Sequence, residues 1–204
     1  MDGTLKHPFT CLLAGPTQSG KSTFAKRMIR HASELIHPTP EEIIWYFSEW
    51  QDGYTEIKGV TFREGLPTME EFADKKRRLI VLDDLMEETD KRVTALFTKG
   101  SHHNNVSIIH IVQNVFSKNK EHRTLSLNSH YMILFKNPRD ASQIQHLANQ
   151  MYPNQTKYVL EAYKDAVSVP HGYLFVDLTQ DTPDHLRLKT SIFPGEIQTA
   201  YVPK

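Results

Sequence analysis

The chain has 204 residues, with 24 Lys and Arg against 24 Asp and Glu, so its formal net charge is zero. Charged residues make up 24% and hydrophobic residues 39%, the composition of a globular chain rather than a disordered one. No apolar run approaches the roughly 20 residues of a membrane span, and charge neutrality excludes nucleic-acid binding by bulk positive charge. Such binding would need a local patch or the lining of an assembled ring. Residues 1–8 lack the basic-then-apolar pattern of a secretion signal. Cys11 is the sole cysteine, which excludes an internal disulfide and points to a reducing, intracellular compartment. The 11 histidines are many for this length, and some of them would charge below about pH 6.5.

Short apolar runs alternate with longer helical stretches, the pattern of a mostly parallel sheet with helices on its faces. Residues 9–14 are expected as a buried strand, 15–20 as a turn and 21–36 as one helix, broken by Pro38 and Pro40. Strands follow at 42–48 and 60–63, then a short helix at 69–73 and a core strand at 79–82. Residues 89–99 read as a helix with Gly100 as its stop, leaving 100–105 as a loop. Core strands follow at 106–112 and 131–135, and helices at 140–151 and 155–164. Segments 172–178 and 186–193 are expected as a terminal antiparallel pair, with Pro170, Pro183 and Pro194 at the edges, where Pro is tolerated. A single domain over 1–204 is expected, with 168–204 at most an addition to the core.

Gly15-Pro16-Thr17-Gln18-Ser19-Gly20-Lys21-Ser22 matches G-x-x-x-x-G-K-[ST] in full, between a strand and a helix. Backbone amides of such a loop, and of the helix N-terminus behind it, point at phosphate groups. Its glycines let the backbone curl around the anion. Lys21 would reach the β- and γ-phosphates, Ser22 would ligate Mg²⁺, and Thr23 would extend the binding set into the helix. Leu79-Ile80-Val81-Leu82-Asp83-Asp84 is an apolar strand ending in two carboxylates. Asp83 is expected to hold the metal through water, and Asp84 to act as the base or positioner of an attacking water. Glu49, after the 42–48 strand, is a rival base, although a solvated acid is the simpler reading.

The strand ending Val112-Gln113-Asn114 carries a polar residue where a γ-phosphate would lie, so Gln113 is a candidate to orient water. His110, inside the same strand, is expected to be packed and satisfied. The pair His102-His103 has neither a cysteine nor an i, i+4 partner, which disfavours zinc. Lys75-Lys76-Arg77-Arg78 reads as a solvated loop leading into a buried strand. After Gln113, Lys118, Lys120, His122 and Arg123 form a second basic stretch. Arg123, with Arg139 second, is the candidate arginine finger acting on a neighbouring subunit's γ-phosphate.

These motifs together resemble the genome-packaging ATPases of the FtsK/HerA superfamily, in the branch of Polinton-type elements, adintoviruses, virophages and poxvirus-like viruses. The resemblance covers most of the chain, from Phe9 to Gly195. The phosphate loop alone is generic. Specificity comes from Gly100-Ser101-His102-His103-Asn104-Asn105-Val106-Ser107, from 123–129, from Phe135-Lys136-Asn137-Pro138-Arg139-Asp140 and from the C-terminal stretch beginning His171-Gly172-Tyr173.

The resemblance implies a RecA-like P-loop core, ATP with Mg²⁺, and Gln113 as the γ-phosphate sensor. It implies a homo-oligomeric ring that moves double-stranded DNA into a capsid, with capsid portal or vertex proteins as partners and no membrane. The place of action would be inside an infected host cell or on the virion. Loop 100–105 and stretch 116–123 are the candidate DNA contacts. Many members carry Asp-Glu where this chain has Asp83-Asp84, a shorter reach for the base. Two other functions fit the phosphate loop: a small-molecule P-loop kinase and a non-catalytic nucleotide-dependent scaffold. The kinase would need an arginine-rich lid, and residues 51–67 hold only Arg63. The scaffold would not need the intact set Lys21, Ser22, Asp83, Asp84 and Gln113.

Overall fold

The fold is described from a computed structural model, over residues 4–83, 85, 91–115 and 120–203. Strands β1 (Leu5–Lys6) and β2 (Thr10–Ala14) lead to helices α1 (Lys21–Arg30) and α2 (Ala32–Leu35). Strands β3 (Ile36–His37), β4 (Glu42–Phe47), β5 (Thr61–Glu64) and β6 (Arg78–Asp83) follow. Then come α3 (Lys91–Ala95), α4 (Ser101–His103), β7 (Val106–Val112), α5 (Lys120–Leu127) and β8 (Tyr131–Phe135). Helices α6 (Ser142–Met151) and α7 (Thr156–Ala166) precede β9 (Tyr173–Asp177), β10 (Leu188–Thr190) and β11 (Thr199–Tyr201).

Nine strands form one sheet in the order β11-β10-β9-β8-β2-β7-β6-β4-β5. Strands β5, β4, β6, β7, β2 and β8 are parallel. Strands β9, β10 and β11 continue the sheet antiparallel. The expected α/β fold is therefore present. Its terminal antiparallel pair gains a third strand, β11, and the group joins the main sheet directly, through β9 beside β8.

Strands β2, β6 and β7 are buried along their whole length, so they read as unbroken apolar runs rather than alternating ones. Alternate residues feed two cores. Leu12, Leu82 and Ile108 face the side covered by α3, α5, α6 and α7. Cys11, Leu13 and Val81 face the side covered by α1. Helix α1 buries Phe24, Ala25, Met28 and Ile29, a stripe at helical spacing. The Phe24 ring meets Tyr173 at 4.7 Å, Phe193 at 4.9 Å and Phe135 at 5.8 Å, all edge-on. Arg27 lies 4.0 Å from the Phe193 ring and pairs with Glu196 at 2.5 Å. The C-terminal segment thus latches α1 to the sheet.

Several expectations change. The single helix over 21–36 divides at His31, and Ile36–His37 turns extended to pair with Leu5–Lys6. That pairing buries Leu5 and Ile36 to 2% and 1% exposure, which a continued helix would not. Gly100 does not stop its helix. The chain passes through a π-helical turn at Leu96–Gly100 into α4, and Gly100 keeps a helical φ of −66°. A side chain there would meet Met69 Sδ and Leu96 Cδ2 at 3.1 Å, so glycine serves close packing and not a left-handed turn. That turn falls on Asn105, at φ 58°. The expected loop is therefore helical as far as His103. Helix α5 was not expected, because its buried residues are His122, Leu125 and Ser126, a faint apolar stripe.

Arg78 is not solvated. It opens β6 at 6% exposure, donates from Nε to Glu42 at 2.6 Å, and its guanidinium grips Asp74. His110 is packed but not satisfied: at 0% exposure neither ring nitrogen has a hydrogen-bond partner among the described residues. Burial pulls its pKa down to about 3, and burial also lowers His7 and His122. His110 stays neutral when folded but binds a proton when unfolded below about pH 6.5. Its contribution to stability is therefore full above pH 6.5 and falls as pH drops toward 3. In urea unfolding the His110→Leu variant should lose up to one proton's share of this slope, about 1.4 kcal/mol per pH unit. An unchanged slope would refute the assignment.

Candidate nucleotide-binding site

Parallel pairing brings the chemistry to one edge of the sheet. Leu13 pairs with Ile111, Ile111 with Asp83 and Asp83 with Phe47, so β2, β7, β6 and β4 end side by side. In open α/β sheets this carboxyl edge is where ligands bind. Here it opens into a cleft of about 340 Å³, lined by Thr17, Gln18, Gly20, Lys21, Ser22 and Thr23 on the phosphate-loop side. Asp83, Gln113, Gln51 and His171 are among the residues that complete the lining.

The phosphate loop is built by backbone conformation. Gln18 and Gly20 adopt φ values of 65° and 105°, the left-handed region that glycine enters without strain. Gly15 is a steric requirement: a side chain would lie 2.7 Å from Ser19 Oγ and 2.8 Å from Phe135 Cβ. The Gly15 amide donates to the Val112 carbonyl at 3.3 Å, and the Ser19 amide to Pro16 at 3.2 Å. Helix α1 follows with no side-chain cap and no acid in its first turn. Its positive end thus faces the cleft without a competing carboxylate. Lys21 Nζ donates to the carbonyls of Gly15 at 2.6 Å and Pro16 at 2.8 Å. The ammonium is therefore held at the loop, on a flexible stem that can turn toward an anion.

Across the cleft, Asp83 is 3% exposed at the end of β6. Tyr54 Oη donates to its Oδ2 at 2.9 Å, a charge-assisted bond in a buried setting. Gln113 is exposed at the end of β7 and reaches the cleft. The segment after it is fixed from α6. The Val115 amide donates to Gln143 Oε1 at 2.9 Å, and Gln143 Nε2 donates to Asn114 at 3.0 Å and Asp140 at 2.7 Å. Hydrogen bonds from Ser142 and Gln143 hold the Asp140 carboxyl below the usual carboxylate range.

Lys21, Ser22, Thr23, Asp83 and Gln113 thus meet in one cleft. Gly15, Pro16 and Ser19 shape the loop without lining it. Asp84 and Lys118 lie outside the described residues. Arg123, on α5, and Arg139, after β8, are exposed and do not line the cleft, and neither does the exposed Glu49. Three contributors were missed by sequence reasoning: Gln51, Tyr54 and His171. His171 sits at φ 57°, its Nδ1 3.4 Å from the Ser19 carbonyl and its ring against Gly20. The dipeptide His171-Gly172 before a strand was the signal that could have marked it.

The chain matches no protein-family model and no curated protein sequence. Its fold is shared with solved structures. B204, the DNA-packaging ATPase of Sulfolobus turreted icosahedral virus, gives a TM-score of 0.59 at 12% identity, over 97% of this chain and 99% of that one. The genome packaging NTPase B204 of Sulfolobus turreted icosahedral virus 2, in complex with ATP-gammaS, gives 0.58 at 11%, over 96% and 97%. The cytoplasmic domain of the type VII secretion ATPase EccC from Thermomonospora curvata gives 0.50 at 12%, over 83% of this chain and 23% of that one. At these identities the likeness is one of fold, that of the P-loop ATPases.

Tyr54→Phe removes the hydroxyl that donates to buried Asp83. Urea unfolding at pH 7 should show a loss of about 1–2 kcal/mol. Wild-type stability would mean that the bond contributes nothing.

Proposed function

We propose that this chain binds ATP with Mg²⁺ and hydrolyses it as one subunit of a ring that drives double-stranded DNA into a capsid. The carrying observation is the convergence of Lys21, Ser22, Asp83 and Gln113 on one cleft, in a fold shared with a viral packaging ATPase. This reading puts the chain in the FtsK/HerA superfamily, in the Polinton, virophage and poxvirus-like branch that its motifs resemble. It acts inside an infected host cell or on the virion.

The amides of Thr17, Gln18 and Gly20 and those at the start of α1 hold the phosphates, and Lys21 leaves the Gly15 and Pro16 carbonyls for the β- and γ-oxygens. Ser22 and Asp83 line the same cleft and suit Mg²⁺, which takes one or two protein oxygens beside phosphate and water. Held there by Ser22 and Asp83, the ion would supply positive charge to offset that of the phosphates. Gln113 orients the attacking water, and Asp84 takes its proton. Gln143 and Asp140 are positioning residues that keep Gln113 in place through Asn114 and Val115. Arg123, or Arg139, reaches the cleft of the neighbouring subunit. The DNA contacts come from residues 100–105 and 116–123 at the ring pore, together with capsid partners at the vertex.

The test is steady-state ATP hydrolysis by the assembled protein, with and without long double-stranded DNA. DNA should stimulate turnover, and added salt should weaken that stimulation. Lys21→Ala should abolish hydrolysis, and Gln113→Ala should lower turnover roughly 100-fold while nucleotide still binds. Indifference to DNA in an assembled ring would overturn DNA translocation. Phosphate transfer to a small molecule would instead establish a kinase.

A further inference from the structure

Beside the cleft, at the β4–β5 end of the sheet, lies an aromatic ledge. Trp50 is 52% exposed, yet its ring packs on Phe47, Tyr54 and Phe62, each at 5.5 Å. Tyr54 stacks on Phe62 at 5.2 Å and 21°. Tryptophan is among the residue types enriched at the energetic centres of protein interfaces. The stretch around Trp50, 49–64, is acidic on balance, with four exposed acids against the exposed Lys58 and an Arg63 already paired with Glu71. Glu49, Asp52, Glu56 and Glu64 are all exposed, and none forms an ion pair among the described residues.

The opposite charge lies on the other side of the cleft, at the same sheet edge. Lys120 and Arg123 stand near the start of α5, and Lys136 and Arg139 follow the end of β8. All four are exposed, and none forms an ion pair among the described residues. The two faces are different surfaces of one molecule and complementary in charge. A contact between them is head-to-tail, the kind that closes into a ring.

We propose that the Trp50 ledge receives the Arg123–Arg139 face of a second copy of this chain. The proposal deepens the ring reading above and rests on it. It also assigns Tyr54 a positioning role. Its ring belongs to the ledge and its hydroxyl bonds Asp83 at 2.9 Å, so a neighbour seated on Trp50 acts on the metal-binding carboxylate through one side chain.

The chain carries its own probe, since its two tryptophans are Trp45, fully buried, and Trp50. Acrylamide quenching should show one accessible tryptophan at low concentration. That fraction should vanish on assembly with ATP, followed in parallel by sedimentation velocity. Trp50→Ala should bind ATP within about 3-fold of wild type but need at least a 10-fold higher concentration to assemble. A Lys120→Glu/Lys136→Glu variant should fail to assemble as well. Mixing the two should give dimers, because each supplies the face the other lacks. An assembled ring in which Trp50 stays quenchable, normal assembly of Trp50→Ala, or a mixture without dimers would overturn the ledge and leave the ring reading intact. A chain that hydrolyses ATP but stays monomeric with ATP and DNA would overturn both.

Discussion

Strand β2 lies between β7 and β8 in parallel register, and the cleft depends on that clamp. Ala14 pairs with Val112 on one side and Leu134 on the other, so the phosphate loop must leave the sheet beside Gln113 and Phe135. Two steps along the same register, Asp83 ends its strand opposite Ile111. A slip of one residue in the β6 pairings would turn the Asp83 carboxylate from the cleft into a core. Full burial on both faces forbids the slip, because it would exchange every side chain between two packed layers. The apolar runs that look featureless in sequence therefore set the geometry of the polar edge.

The cleft handles charge by separation. The loop side offers backbone amides, a helix N-terminus and the Lys21 ammonium. The far side offers the Asp83 carboxylate, buried and bonded by Tyr54. A wall of donors and positive charge therefore faces an acidic one across the cleft. Neither side could be assembled by local sequence alone. Tyr54 comes from the short 3-10 helix Asp52–Glu56 after β4, Gln143 reaches Asn114 and Val115 from α6, and His171 approaches Gly20 from the turn before β9.

The phosphate loop, the acidic strand and Gln113 were legible because each joins a distinct residue pattern to an apolar strand. The parallel sheet was legible because β2, β6, β7 and β8 are continuous apolar runs. Tyr54 was not, since a tyrosine in a polar stretch carries no period that says where its hydroxyl goes. Gly100 was misread because glycine has two uses, left-handed turns and close packing, and only the nearby Met69 side chain decides between them. Arg78 was misread because a basic run looks solvated. Its last member becomes the first residue of a central strand, and burial there requires Glu42 and Asp74 as partners. Helix α5 escaped notice because what it buries, His122 and Ser126 included, is barely hydrophobic.

The three rings around Phe24 set an order of events during synthesis. The phosphate loop and α1 leave the ribosome before the residues that seat them. The rings that seat α1 belong to Phe135, Tyr173 and Phe193, of which the last two come from the C-terminal extension of the sheet. A growing chain would therefore present a complete phosphate-binding sequence long before it has the scaffold to hold that sequence in shape. Nucleotide capture in this architecture belongs to the finished molecule, and a half-made chain would emerge from translation without a working cleft.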